Sequence, residues 1–335
     1  MRICVLSDEE LQDFDPSPFL EDLQHTVVTL TAPVSRKIRA LAGNGQFDVF
    51  LNLCEGYELD EIGPGKPGYR GIDVVSALEA SGLPFTGADS RCWDPTREAQ
   101  QAVAEANGIR FARGYRVDSV AAALRLVDTL PHPIMVKHPQ SYGSTGMFRE
   151  SRADTIDQVA EQVARVCGQF GAARLEEFII GREYNVLVVD NAADLERPIA
   201  YAPVELVFPP GEEFWHTDVK WNYDVPFSFR EVVDAGLAAR LQDAARRMYR
   251  ALDVAGYARC DIRVNEAGEP VMLELNPSPG IMFPLEEYGP ADYIILFDEG
   301  GYPRFFDRII AGAFARHALR RGRPLAPGAA PGSAG

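Results

Sequence analysis

The chain has 335 residues, a length that can bury a sizeable core and that predicts two or three domains. Its formal net charge of −16 argues against a nucleic-acid partner and against binding to an anionic membrane surface. It contains no apolar run of transmembrane length, its N-terminus lacks the order of a signal peptide, and its five cysteines form no C-x-x-C pair, so we expect a cytoplasmic protein with reduced thiols.

Short apolar runs alternate with helical segments over the first 90 residues. Two buried strands are predicted at MRICVLSD and FDVFLNLCE. Helices are predicted at SPFLEDLQ, SRKIRALAGNG and GIDVVSALEASG, and a short strand at LPFTGA. This βαβα-type order predicts a small α/β domain.

The middle of the chain begins with a helix at DPTREAQQAVAEANG, for which we expect Asp94 as N-cap and Pro95 at the first position. Strands are predicted at RFARGYRV and PIMVKHP, and helices at SVAAALRLVDTL and TIDQVAEQVARVCGQFG. From ARLEEFI onward the chain is rich in strands, including REYNVLVVD and PIAYAPVELVF. The helices DAGLAARLQDAARRMYRALD and GYPRFFDRIIAGAFARHALRR flank a last hairpin, and residues 319–335 predict a disordered tail.

Two alternating runs, RCDIRVN and VMLELN, flank the turn Glu266–Gly268 and predict that last hairpin. A symmetric fold about the turn places Asp261 opposite Glu274 and Arg259 opposite Asn276, all on one face. Because carboxylates that lie opposite each other repel, we expect a cation between them. Carboxylate and amide oxygens are ligands that Mg²⁺ takes in proteins. The alternative is a solvated face on which acids pair with arginines.

A second candidate segment is PIMVKHPQSYGSTGMF, in which an apolar strand delivers Lys137 to a loop of small residues that includes Gly143 and Ser144. A lysine at this place can reach phosphate oxygens, and small residues let backbone N–H groups approach them closely. The segment is not a Walker A sequence. The alternative is a flexible hairpin loop with an exposed lysine.

The third candidate segment is ARLEEFIIGREYNV. Glu176 and Glu177 end a strand, Phe178 and Ile179 are apolar, and Glu183 opens the next strand. An adenine needs an apolar slot with a backbone donor and acceptor, and ribose hydroxyls suit a carboxylate. A hairpin with polar edges is the alternative.

Two loops complete the set of candidates. FWHTDVKWNYD places Lys220 among aromatic residues, either in a loop that closes over phosphates or in an ordinary surface loop. The NPSPG turn forces the chain out of the sheet after the last strand, and its backbone N–H groups can hold an anion or an oxyanion.

The order of these pieces is distinctive: a strand lysine with a small-residue loop, E-E-F-I-x-G-R-E, a loop lysine, R-x-D, and E-x-N-x-x-P-G. It resembles the ATP-grasp ligases, and most closely the D-alanine–D-alanine ligase-like branch, from about residue 45 to 312. The resemblance implies an α/β and α+β protein with a Rossmann-like N-terminal domain (1–90), a central ATP-grasp subdomain (91–180) and a C-terminal subdomain with the metal site (181–318).

The same resemblance implies a role for each candidate residue. Those that would bind ATP are Arg97, Lys137, Ser144 and Lys220 near the phosphates, Glu176, Glu177, Phe178 and Ile179 at adenine, Glu183 at ribose, and Asn276 through the metal. Those that would hold two Mg²⁺ ions, or Mn²⁺, are Asp261, Glu274 and Asn276. Those in the catalytic set are Arg259 on an acyl-phosphate, Lys220 over the γ-phosphate and Gly280 near the oxyanion.

The sequence departs from this branch where the first substrate would bind. The stretch LSDEELQDFDPSP stands in place of a Gly-rich loop with a glutamate, and Gly143 and Trp221 stand in place of a serine and a tyrosine. Arg97 stands in place of a lysine. The position at which the branch has a substrate-binding serine corresponds to about Leu285 in this chain. We therefore expect a product other than D-alanyl-D-alanine.

These observations predict an ATP-dependent carboxylate–amine ligase that acts on amino acids through an acyl-phosphate and releases ADP and phosphate. Its partners would be small-molecule carboxylates and amines, with no nucleic acid and no membrane, and the branch implies a homodimer. Three alternatives remain: a ligase that cyclises one amino acid internally, a phosphotransferase of the same fold, and a nucleotide-binding protein without catalysis.

Overall fold

Three β-sheets organise the computed structural model, which describes residues 1–9, 11–56, 68–140, 144–220, 228–284 and 287–322. Gly143, Trp221, Leu285 and residues 323–335 of the expected tail lie outside the described residues. Within the described ranges, no helix is both long and apolar enough to cross a membrane. The predicted domain limits at residues 90, 180 and 318 stay predictions.

The first sheet is parallel, with strand order β2-β1-β3. Its strands are β1 (Ile3–Ser7), β2 (His25–Thr29) and β3 (Val49–Asn52), and its helices are α1 (Val34–Gly43) and α2 (Gly71–Ser81). Strand β2 was not predicted, because its HTVVT sequence is short and only partly buried. SPFLEDLQ forms one 3₁₀ turn at Ser17–Leu20 instead of a helix, and LPFTGA contributes one parallel bridge, Phe50–Phe85.

The second sheet is antiparallel. Its strands are β4 (Gly114–Val117), β5 (Ile134–Lys137), β6 (Arg152–Ala153) and β7 (Ala173–Glu177), in the order β4-β7-β5-β6. The helices beside it in sequence are α3 (Arg97–Ala106), α4 (Val120–Leu124) and α5 (Ile156–Phe170). The expected cap of α3 is wrong: Thr96 is the N-cap, because its hydroxyl accepts a hydrogen bond from the N–H of Ala99 at 3.1 Å.

The third sheet carries the predicted hairpin. Its strands are β8 (Gly181–Val189), β9 (Ile199–Ala200), β10 (Val204–Val207), β11 (Ser228–Glu231), β12 (Tyr257–Asn265) and β13 (Pro270–Pro277), in the order β11-β10-β8-β12-β13 with β9 paired to β8. The last helices are α6 (Thr217–Lys220), α7 (Ala235–Ala251), α8 (Pro290–Phe297) and α9 (Gly301–Gly322).

The predicted register of the β12–β13 hairpin is confirmed. Arg259 pairs with Asn276, and Asp261 pairs with Glu274. The register shifts between Asp261 and Ile262, after the residues of interest. The two carboxylates, the amide and the guanidinium therefore lie on one face, as the alternation requires.

The NPSPG turn at the end of β13 is anchored to the N-terminal part of the chain. Ser278 has φ +48°, and its hydroxyl accepts a hydrogen bond from the N–H of Ala88 at 2.8 Å. Its own N–H donates to the carbonyl of Tyr257 at 2.9 Å. A side chain at Gly87 would lie 2.8 Å from the Ser278 hydroxyl, so this contact needs a glycine. These bonds fix where the turn leaves the sheet.

Candidate active site

Arginine side chains neutralise the predicted metal-binding carboxylates in this structure. Arg259 donates to both oxygens of Asp261, from Nε at 2.7 Å and from Nη2 at 2.9 Å. Asn185, on the neighbouring strand, donates to Asp261 from Nδ2 at 2.7 Å. Burial opposes the charge of Arg259, but Asp261 outweighs it, so the pKa of Arg259 is raised.

Glu274 is the point on which the predicted cations converge. Arg97 donates to it from Nη2 at 2.5 Å, and the Glu274 side chain is 25% exposed. Burial would raise the pKa of Glu274, but nearby positive charges outweigh it and lower that pKa to about 2. The cations that lower it are Arg97 of α3, Lys137 of β5, Arg259 of β12 and Lys220 of α6. Four separate segments therefore place a predicted site residue near enough for its charge to act on one carboxylate, and Arg97 contacts that carboxylate directly.

The oxygen donors on this face suit a hard cation. Across the described ranges, no three or more histidine, cysteine, aspartate or glutamate side chains form a group that could hold a metal. The predicted set has only two carboxylates, Asp261 and Glu274, with the amide of Asn276. Mg²⁺ is commonly held by one or two carboxylates and completes its shell with water and phosphate oxygens, so the donor set fits it. A small cleft borders Glu274 and Asn276, and Arg97 also lines it.

Lys137 leaves β5 and meets Glu176 in a buried ion pair. Its Nζ lies 2.6 Å from Oε1 of Glu176, and the two side chains are 12% and 4% exposed. Arg174 donates to the other oxygen of Glu176 at 2.8 Å. Burial lowers the pKa of Lys137; for Glu176, burial is outweighed by Lys137 and Arg174, which lower its pKa. The Glu176 carboxylate thus orients Lys137.

The apolar slot predicted for adenine lies where β7 meets β8. Ile179 packs in a small buried cluster with Ala112 and Val271. We call residues 176–179 the hinge. Glu177 accepts a hydrogen bond from the N–H of Arg113 at 2.9 Å, which fixes the start of this hinge. Glu183 lies beside the slot, and burial raises its pKa. The apolar surface and the carboxylate that a nucleoside needs are therefore adjacent.

Lys220 lies at the end of α6, which is bonded to the small-residue loop. Thr217 donates to the carbonyl of Met147 from its N–H at 3.0 Å and from its hydroxyl at 2.8 Å. The same hydroxyl lies 3.3 Å from the carbonyl of Ser144, a residue with φ +64°. Burial and the charge of Arg259 lower the pKa of Lys220. The described parts of the two predicted phosphate loops are thus hydrogen-bonded to each other.

Gly280 packs so closely against Phe283 that a side chain there would have to displace the ring. A Cβ atom there would be 2.7 Å from the ring of Phe283 and 3.2 Å from Oε1 of Glu55. The side chain of Glu55 is exposed, and its backbone N–H donates to Oδ2 of Asp8 at 2.6 Å. Glu55 therefore lies beside Gly280, although no sequence motif singled it out.

Gln100 is a second residue that the sequence did not reveal. It lies on α3 and is 4% exposed. Its Oε1 accepts from the N–H of Leu275 at 2.7 Å, and its Nε2 donates to the carbonyl of the same residue at 3.1 Å. The amide of Gln100 thus pairs with both backbone groups of Leu275, as the backbone of a neighbouring strand would. Leu275 lies between Glu274 and Asn276. Such outer contacts orient metal-binding groups.

Replacing Gln100 with leucine is expected to raise the Mg²⁺ concentration needed for half-maximal turnover by at least about tenfold, because Glu274 and Asn276 lose their support. The free energy of unfolding should fall by about 2 kcal/mol, since the backbone of Leu275 loses both bonds. Gln242→Leu is the control, because Gln242 also bonds two backbone carbonyls, at 3.2 and 3.0 Å, on another element. An equal change in the Mg²⁺ requirement of both variants would contradict this role.

A family model described as the C-terminal part of D-ala D-ala ligases matches residues 102–284, more than half of the chain. The chain belongs to the D-alanine–D-alanine ligase family. The D-alanine–D-alanine ligase of Bordetella petrii is 29% identical over 253 residues, which are 73% of this chain and 71% of that protein. That of Bifidobacterium longum strain NCC 2705 is 28% identical over 277 residues, which are 76% of this chain and 62% of that protein.

Solved structures agree on the fold of this ligase. The D-alanine–D-alanine ligase of Coxiella burnetii has a TM-score of 0.67 at 16% identity, covering 96% of each chain. The VanG D-Ala:D-Ser ligase of Enterococcus faecalis has a TM-score of 0.65 at 15% identity, covering 93% of this chain and 99% of that one. The predicted ATP-grasp fold is confirmed. As a family member, the chain is an ADP-forming ATP-grasp ligase that forms an amide bond and uses ATP and Mg²⁺.

Proposed function

We propose that this ligase joins a substrate carboxylate to an amine through an acyl-phosphate. The carboxylate oxygen attacks the γ-phosphorus of ATP, and the bond to ADP breaks. The amine then attacks the acyl carbon, and phosphate leaves with one former carboxylate oxygen. The observation that carries this proposal is that Arg97 pairs with Glu274 and Arg259 with Asp261 on one face of the hairpin, with Lys137 and Lys220 near enough to lower the pKa of Glu274.

Positive side chains would supply most of the catalysis, by positioning and by neutralising charge. Lys137, Lys220 and Arg97 would bind the phosphates of ATP. Arg259 would face the charge that develops on the transferred group. A bound Mg²⁺ would polarise the phosphate oxygens and neutralise their charge. The backbone at Gly280, which carries no side chain, would approach the oxyanion closely.

The nucleoside would lie between the central and C-terminal sheets. Residues 176–179 would line adenine, with the apolar cluster of Ile179 on one side. Glu183 would accept hydrogen bonds from the ribose hydroxyls. The number of metal ions, the use of Mn²⁺, the homodimer and the three-domain division stay proposals from the family resemblance.

We expect the wild-type protein to form no D-alanyl-D-alanine from millimolar D-alanine and Mg-ATP. Its first loop is LSDEELQDFDPSP, and the acid that the structure places beside Gly280 is Glu55. The double variant Gly143→Ser with Trp221→Tyr is also expected to make none, because the first loop remains different. Mass spectrometry of the products measures both. Efficient D-alanyl-D-alanine synthesis by the wild type would refute a changed first-substrate site.

Product analysis with Mg-ATP and pooled amino acids tests the proposed function. ADP and phosphate should appear only when amino acids are present, together with a new amide mass. A mass one water below a single amino acid would mean internal cyclisation. A persistent phosphorylated product would favour a phosphotransferase, and AMP with pyrophosphate would contradict the acyl-phosphate route.

A further inference from the structure

Arg263 is a buried cation that lies beside the proposed nucleoside pocket and that no motif singled out. Its side chain is 3% exposed. It lies on β12, opposite Glu183 of β8 and Val271 of β13. A buried guanidinium is costly unless its donors are paired. Its partners therefore indicate what this residue holds in place.

The guanidinium of Arg263 bonds three segments at once. Nε donates to Oε2 of Glu183 at 3.0 Å, and Nη1 donates to the carbonyl of Ile179 at 2.9 Å. Nη2 donates to the carbonyl of Glu213, in the segment before α6. Its Cζ also lies 4.6 Å from the centroid of the Phe178 ring. One side chain thus joins the proposed ribose carboxylate to the adenine hinge.

The ion pair fixes Glu183 without using all of its acceptor capacity. Arg263 contacts Oε2, and the other oxygen is not part of this pair. Glu183 is 7% exposed, so water competes weakly for it. An ionised carboxylate accepts hydrogen bonds and donates none, which matches ribose hydroxyl donors. A carboxylate held in place before binding also loses less freedom when the ligand arrives.

We propose that Arg263 is a positioning residue of the nucleoside pocket, which holds Glu183 against the ribose hydroxyls and holds the hinge against adenine. The inference rests on the proposed function, because it takes residues 176–179 and Glu183 as the nucleoside pocket. A role in stability alone would leave the selectivity for ribose hydroxyls unchanged. Ribose selectivity is therefore the property to measure.

Calorimetric binding of Mg-ATP and of Mg-2′,3′-dideoxy-ATP tests this role without knowledge of the amino-acid substrate. Wild type should bind ATP at least about tenfold more tightly than the dideoxy nucleotide, and in Arg263→Met this ratio should fall to within about twofold. Arg263→Lys keeps the charge but cannot span three acceptors, so it should lose most of the selectivity as well. The lysine variant decides the test if Arg263→Met does not fold.

Arg182→Met is the matched control. Arg182 lies on β8 opposite Val264, is 62% exposed, and contacts Glu205 at 3.4 Å. Its loss should leave the selectivity as in wild type. Wild-type selectivity in both Arg263 variants would overturn the inference, and so would a wild type that binds both nucleotides equally. A wild type that binds no ATP at all would instead overturn the proposed function.

Discussion

Glu274→Gln is expected to lower ATP turnover by at least about 10³-fold while the protein keeps its fold. The change removes one charged oxygen donor and little volume. Arg97 then loses its ion pair, and the charges of Lys137, Arg259 and Lys220 lose the nearby negative charge that offsets them. Bound Mg²⁺ would lose one carboxylate ligand, and the phosphates of ATP would lose the metal contact that positions them. Steady-state ADP formation and circular dichroism measure the two halves of this prediction.

Glu269→Gln on the same hairpin is the control, because Glu269 is exposed and its carboxylate contacts only the local Asn265 amide, at 3.2 Å, among the bonds of the described residues. Its turnover should equal that of wild type.

Because the pKa of Glu274 is lowered from 4.5 to about 2, the carboxylate contributes stability above pH 4.5, and the contribution disappears as the pH falls towards 2. ADP formation near the wild-type rate in Glu274→Gln would refute the metal assignment.

Arg259→Met is expected to lower turnover by about 10²-fold to 10³-fold and to lower the free energy of unfolding by about 3 kcal/mol. Arg259 and Asp261 are 15% and 13% exposed, so removing the guanidinium leaves a largely buried carboxylate without its two-oxygen partner. Glu274 also loses one of its four neighbouring cations. Chemical denaturation and ADP formation measure the two effects.

A surface pair of the same geometry serves as the control for Arg259. Arg70 donates to both oxygens of Asp73, from Nε at 3.4 Å and from Nη2 at 3.1 Å, but the two side chains are 54% and 41% exposed. Arg70→Met should lower the free energy of unfolding by less than about 1 kcal/mol and leave turnover unchanged. Equal losses in the free energy of unfolding of the two variants would contradict the claim that burial makes the Arg259–Asp261 pair the stronger one. Wild-type turnover in Arg259→Met would remove Arg259 from the catalytic set.

The hairpin face could be predicted because its signal is local. Alternation along β12 and β13 and one turn at Glu266–Gly268 fix which residues oppose each other, so Asp261 and Glu274 were placed correctly. Helix α7 was predicted for a similar reason: its periodicity is clear, and the side chain of Asp234 accepts from two backbone N–H groups at its start. Such features depend on residues that are near each other in the sequence.

The supporting contacts could not be predicted, because they join distant parts of the chain. Gln100 and Leu275 are 175 positions apart, and Arg263 and Ile179 are 84 apart. A buried glutamine on a helix has no local pattern that distinguishes it from a polar surface residue. Glu55 was missed because its neighbour Gly280 follows the last strand of another sheet and is far away in the sequence. Strand β2 was missed because its short sequence is only partly buried.

The transfer of oxygen-18 from the substrate carboxylate to phosphate tests the central claim most directly. The protein is supplied with Mg-ATP and with pooled amino acids whose carboxylates carry oxygen-18, and the released phosphate is analysed by mass spectrometry. The acyl-phosphate route predicts one labelled oxygen in phosphate for each amide formed. Unlabelled phosphate beside ADP, or the label in AMP, would contradict it.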